Sequence, residues 1–225
     1  MSDMLQAIWY EAVSFGLCLS PDLVNQIHQY SRHQNCSEPE YSNPFTISNL
    51  DAEGKLPDGH RPLRALVNNP MNCPIVEQLT RDPNLFRLAK DYLGYSPDRI
   101  SCHLTWSLAT QLPLKEAQQK YPPANYHYDI AGYNFATAYF YITPVLNQAA
   151  GPHIMFRGSH REKPFWMLLR SGRQTSESLY RYYGKERELM ILGGAGFGFF
   201  QDPSCFHRVS PPTQSHRLLL QIRYA

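Results

Sequence analysis

One short stretch, His127-Tyr128-Asp129, limits what this chain can fold into more than any other, once it is read together with His207. In an extended strand residues i and i+2 share a face, so His127 and Asp129 can grip one ion while Tyr128 turns away. A third donor about eighty residues later has to arrive on another strand, folded back beside the first. Two imidazoles and a carboxylate are the facial triad that holds non-haem Fe(II) and leaves the remaining positions open. The same donors also make a catalytic zinc site. Beyond His207, Arg217 offers a planar guanidinium fork suited to bidentate capture of a carboxylate such as the tail of 2-oxoglutarate.

The rest of the chain has to supply strands that meet. Aromatic residues favour the pleated surface, and Tyr 15 and Phe 11 point to a β-rich protein. Apolar spacing predicts a helix over 3–15, a short strand over 15–19, and a helix opening at Ser20-Pro21 with Leu23, Ile27 and Tyr30 as its buried stripe. Residues 35–75 are polar and rich in Asn, Pro and Gly. They read as a long connection with a weak strand near Phe45–Ile47, either solvated or forming one wall of a substrate entrance. A helix pair follows over Pro74–Thr80 and Pro83–Leu93, the second stopped by Gly94. Strands are expected at 99–108, 134–143, 153–156, 189–191, 197–201, 206–209 and 216–224, with one helical interruption over Ser171–Tyr183. The expected fold is mainly β with flanking helices: a jelly-roll core mostly over 99–225, with a helical scaffold mostly over 1–98, in one domain spanning 1–225.

Composition excludes more than it selects. A net charge of +2 is too mild to argue for nucleic acid or an anionic membrane. No apolar run has the length of a membrane span. The five cysteines form no CxxC pair and are odd in number, so reduced thiols are expected. The N-terminus lacks the features of a signal peptide, which makes a cytoplasmic home the expectation.

Four blocks carry a family resemblance. They are Tyr126-His127-Tyr128-Asp129; Ala138-Tyr139-Phe140-Tyr141-Ile142-Thr143; Gly151-Pro152 through Gly158-Ser159-His160; and Cys205-Phe206-His207-Arg208 through Arg217 to Tyr224. Together they resemble the phytanoyl-CoA dioxygenase-like family of Fe(II)- and 2-oxoglutarate-dependent oxygenases. The resemblance implies a double-stranded β-helix (cupin-like) core, Fe(II) held by His127, Asp129 and His207, and 2-oxoglutarate anchored by Arg217. It further implies that O₂ and 2-oxoglutarate are consumed to give succinate and CO₂, while an unactivated C–H bond of a small-molecule substrate is hydroxylated. Halogenating relatives lack the carboxylate ligand, so Asp129 favours hydroxylation or a related oxidation. Desaturation, ring formation and epimerisation use the same triad.

Other residues have plainer readings. His103 reads as a core histidine, with contact to the cosubstrate as the alternative; His160 reads as a turn residue, and neither His153 nor His216 as a ligand. Asp202, in Asp-Pro, reads as a turn residue that could also bond the second ring nitrogen of His207. Asn134 could touch substrate or 2-oxoglutarate, or simply end its strand. Cys205 reads as a buried thiol. Residues 157–187 hold eight Lys or Arg, Arg170 among them. This run is either a solvated face or a basic lid suited to an anionic substrate. Two further functions share the triad: a zinc hydrolase, which would have no need of Arg217, and a catalytically silent ligand-binding protein.

Overall fold

Helix α4 (Pro83–Leu93) shows how directly the local sequence works. Asp82 caps its first turn by accepting from the backbone N–H groups of Asn84 and Leu85, and Pro83 stands at the first helical position. Gly94 ends it at φ 79°, a left-handed conformation that glycine adopts without strain. Its buried stripe is Leu85, Leu88, Ala89, Tyr92 and Leu93. With α3 (Pro74–Thr80) it forms the expected helix pair.

The computed structural model describes residues 2–39, 41–130, 134–168 and 172–225. Its helices α1 (Ser2–Glu11), α2 (Pro21–His33), α3 and α4 precede most of the strands. Ser20 does stand before α2, but its side chain makes no capping hydrogen bond, and the buried residues are Val24, Ile27 and Ser31. Leu23 and Tyr30 are only partly covered.

Two antiparallel sheets form the core. The larger has eight strands in the order β1-β9-β6-β11-β5-β4-β2-β3, the smaller three in the order β10-β7-β8. Their ranges are β1 (Val13–Cys18), β2 (Cys36–Glu38), β3 (Tyr41–Phe45), β4 (Arg64–Val67), β5 (Ile100–Ser107), β6 (Ala136–Tyr141), β7 (His153–Phe156), β8 (Glu188–Ile191), β9 (Phe197–Gln201), β10 (His207–Val209) and β11 (Arg217–Tyr224). The mainly β, cupin-like fold read from the sequence is the fold observed. The long connection expected over 35–75 is not: it carries β2, β3 and β4, which extend the large sheet beyond β5. These strands are short, and β3 holds Pro44 at the sheet edge, where a missing N–H is tolerated.

Period-2 alternation sorts the core. On β11, Leu218, Leu220, Ile222 and Tyr224 pack in one cluster with Ile8, Ile27, Val76 and Leu88 of the helices. Leu219, on the opposite face, joins Tyr139, Tyr141, Met155 and Phe199 between the two sheets. Each such side chain taken from water contributes roughly 1.5–3 kcal/mol. A one-residue slip of β11 would exchange the two sets, so pairing with β5 and β6 on both sides fixes its register. A third cluster, Tyr126, Ile154, Phe156, Leu179, Tyr183 and Phe206, closes the outer face of the small sheet under α7 (Ser176–Tyr183) and α6 (Phe165–Leu168). The expected helix start at Ser171 lies outside the described residues. All five cysteines are free thiols, and no described helix is long and apolar enough to cross a membrane.

Candidate metal centre

Backbone pairing brings the His127-Tyr128-Asp129 motif to His207. His127 and His207 form a two-way bridge, the His127 N–H donating to the His207 carbonyl at 3.0 Å and the His207 N–H to the His127 carbonyl at 2.8 Å. The Asp129 N–H adds a bond to the Pro203 carbonyl at 2.9 Å. Tyr126 and Tyr128 turn to the other side. The Tyr126 hydroxyl bonds the Glu188 carboxylate, and the Tyr128 ring meets Phe206 edge-on at 5.4 Å. His127, Asp129 and His207 are left facing one another, with one ligand atom from each lying within 4.8 Å of the others.

The imidazoles are oriented for a cation. His127 Nδ1 lies 2.8 Å from the Asn125 carbonyl and His207 Nδ1 lies 2.9 Å from the Cys205 carbonyl. A carbonyl only accepts, so each Nδ1 carries the hydrogen and each Nε2 keeps a free lone pair. Burial, and then the neighbouring His127, push the His207 pKa down to about 4, so the ring is neutral at ordinary pH and ready to ligate. This arrangement of donors fits a divalent transition metal.

The carboxylate is held from outside the triad. Arg223 donates through Nη2 to Asp129 Oδ2 at 3.1 Å, while Asp129 Oδ1 lies 3.7 Å from His127 Nε2. Sequence reasoning missed Arg223, although its signal was there: it lies six residues beyond Arg217 on one strand, an even separation that puts both on the same face.

Arg217 is 2% exposed. It donates through Nη1 to the Gly151 carbonyl and through Nη2 to Ser107 Oγ at 2.8 Å, while its Nε has no acceptor. Among the described residues no carboxylate forms an ion pair with it, an unusual state for a buried cation and one that suits an anionic ligand. Gly151 adopts φ 78°, and a Cβ there would lie 2.9 Å from the Ser210 carbonyl, so the backbone that meets Arg217 needs glycine. His153 stacks on His207 at 5.2 Å. Its pKa is driven well below the ordinary value by burial and then by the charges of His207 and Arg217. It is not among the clustered donors.

The remaining candidates fall into place. His103 is an exposed residue paired with Gln221, not a core histidine, because that end of β5 opens to solvent. His160 bonds the Trp9 carbonyl at 3.1 Å, and His216 Nδ1 accepts from the Ala109 N–H at 3.0 Å, so each serves a turn or a strand end. Asp202 does not reach the ring of His207. It accepts from the Ser204 N–H as a turn residue, and from the hydroxyl of Tyr92 on α4 at 2.5 Å. Asn134 lines a cavity shared with Asp129, and its Oδ1 accepts from the Phe135 N–H. Cys205 is a buried thiol that accepts from Gln201 Nε2.

No protein-family model and no curated protein matches the sequence. Solved structures do share the fold. SnoN, a non-haem α-ketoglutarate-dependent epimerase from nogalamycin biosynthesis, aligns over 99% of this chain and 82% of its own, with a TM-score of 0.65 and 14% identity. HygX from Streptomyces hygroscopicus, solved with nickel, 2-oxoglutarate and hygromycin B bound, aligns over 100% of this chain and 87% of its own at TM-score 0.66 and 12% identity. SnoK, an α-ketoglutarate-dependent carbocyclase from nogalamycin biosynthesis, covers 100% and 83% at TM-score 0.63 and 14% identity. At such identities the likeness is one of fold.

Proposed function

We propose that this chain is an Fe(II)- and 2-oxoglutarate-dependent oxygenase, of the phytanoyl-CoA dioxygenase-like type, that hydroxylates an unactivated C–H bond of a small metabolite. The observation that carries this reading is the pairing of two sites in one barrel. A triad has both Nε2 lone pairs free, and the same core buries an arginine, Arg217, that has no carboxylate partner among the described residues. A zinc hydrolase would use the first and have no need of the second. The binding of 2-oxoglutarate by HygX, on the same fold, is further support.

When bound, Fe(II), 2-oxoglutarate and O₂ would supply an oxidant able to break such a C–H bond. The chain does the rest. His127, Asp129 and His207 would hold the ion, and Arg223 engages Oδ2 of Asp129, which leaves Oδ1 on the side of His127. Arg217 would receive the distal carboxylate of 2-oxoglutarate, with Ser107 and the Gly151 carbonyl keeping the guanidinium in plane. Tyr139, His153 and Phe199, all buried, pack on one another beside His207 and would keep water from its ring. Asn134 lies on the open side of Asp129, where it would meet substrate.

Anaerobic addition of Fe(II) and then 2-oxoglutarate to the apo-protein should give a visible metal-to-ligand charge-transfer band, absent in Arg217→Ala. No band from iron-loaded wild-type protein would reject the reading in favour of zinc or ligand-binding roles.

A further inference from the structure

On the outer side of Asp129 lies a cavity of about 340 Å³, near the lower end of small-molecule sites. Tyr128, Ile130 and Phe135 give it apolar walls, and Lys163 and Arg161 bring cations to it. The two cations differ. Arg161 lies over the Tyr10 ring and donates to the Trp9 carbonyl, so it is drawn towards α1. The Lys163 ammonium lies 5.0 Å from the Tyr128 ring centre and 5.7 Å from that of Phe206. Those two rings belong to residues adjacent in sequence to all three metal ligands.

We propose that Lys163 anchors an anionic group of the substrate, so that the molecule oxidised beside Asp129 is a compact, partly apolar carboxylate or phosphate ester. The inference rests on the function proposed above and names the substrate class for that site. Lys163 makes one hydrogen bond, to the His160 carbonyl at 3.3 Å, and no ion pair among the described residues. The nearby carboxylate of Asp202 is already engaged by Tyr92 and Ser204. Arg223 is likewise committed to Asp129. Aromatic faces hold a cation in place without neutralising it, which leaves two N–H donors of Lys163 for a ligand. Burial lowers the lysine's pKa, a mark of the same incomplete solvation. An anion bound here would direct the rest of the molecule along the apolar walls towards Asp129.

The test uses protein loaded with Zn(II) and saturating 2-oxoglutarate, which keeps Arg217 occupied. Ligand-observed NMR compares phenylacetate with phenylacetamide and phenyl phosphate with phenol. The anionic member of at least one pair should bind on the order of tenfold to a hundredfold more tightly, as a charge-assisted hydrogen bond gives. That preference should vanish in Lys163→Met and Lys163→Gln and survive in Lys163→Arg, with 2-oxoglutarate affinity unchanged throughout. The pair with the larger preference distinguishes carboxylate from phosphate recognition. Equal binding within both pairs, or a preference that persists without the lysine, would overturn the proposal. Should the wild-type protein fail to retain 2-oxoglutarate, the oxygenase reading fails on that result. The four probes are then compared on the Zn(II)-loaded protein, and the same outcomes decide the role of Lys163.

Discussion

Replacing Arg217 by methionine separates an anchor from a structural arginine. The guanidinium is 2% exposed and donates to Ser107 and Gly151, so its loss removes two charge-assisted bonds, each contributing about 1.5–3 kcal/mol. Against this stands the desolvation of a charge that lacks any carboxylate partner among the described residues, a cost of several kcal/mol that methionine does not incur. The opposing effects are of similar size, so the ligand-free variant should differ from wild type by no more than about 2 kcal/mol. For a chain of 225 residues that corresponds to about 4–8 °C in melting temperature. In the metal-loaded wild-type protein, 2-oxoglutarate at a hundred times its Kd should add about 2.7 kcal/mol, some 5–11 °C. The variant should show almost none of this gain. Calorimetric melting of Mn(II)-loaded protein with and without 2-oxoglutarate measures both effects. A variant that keeps the full ligand-induced gain would refute the anchoring role, and one that cannot fold would show the arginine to be structural.

Three further outcomes follow from the same geometry. His127→Ala and Asp129→Ala should abolish stoichiometric metal binding, measured by elemental analysis, while circular dichroism stays near wild type because both side chains are only partly buried. Arg223→Met should weaken metal affinity about 10–100-fold, as loss of a ligand's outer hydrogen bond does, read by chelator competition. The metal-free protein should lose stability as pH falls below 6.5, because the unfolded chain then takes up a proton that His207, with its folded pKa near 4, refuses. That loss reaches about 3 kcal/mol near pH 4. Denaturant midpoints across this range should show it, and a saturating divalent metal, while raising every midpoint, should carry the loss on below pH 4, since bound metal also excludes the proton from Nε2 of the folded chain.

The helix pair, the ends of β7 and β9 and the common side of His127 and Asp129 were legible because each depends on signals within a few residues: an Asp-Pro start, a Gly stop, apolar alternation, a two-residue spacing. Strands β2 to β4 were not. The polar residues of β2 and β3 and Pro44 carry little intrinsic strand preference, and β4 is only four residues long; all three are held through pairing that starts at the β5 edge. Asp202 was half legible. Its turn with Ser204 is local, but its bond to Tyr92 joins residues 110 apart in sequence. Arg223 was hidden because its partner, Asp129, lies 94 residues away in sequence.

The reciprocal backbone bridge between His127 and His207 bears on how a metal would come and go. Main-chain bonds, independent of any ion, already join the two segments that carry the ligands. Loading is therefore expected to resemble the filling of a finished socket more than a folding reaction, with exchange paced by solvent access past Asp129. Such a socket could be emptied and refilled with a different divalent ion without the chain having to unfold.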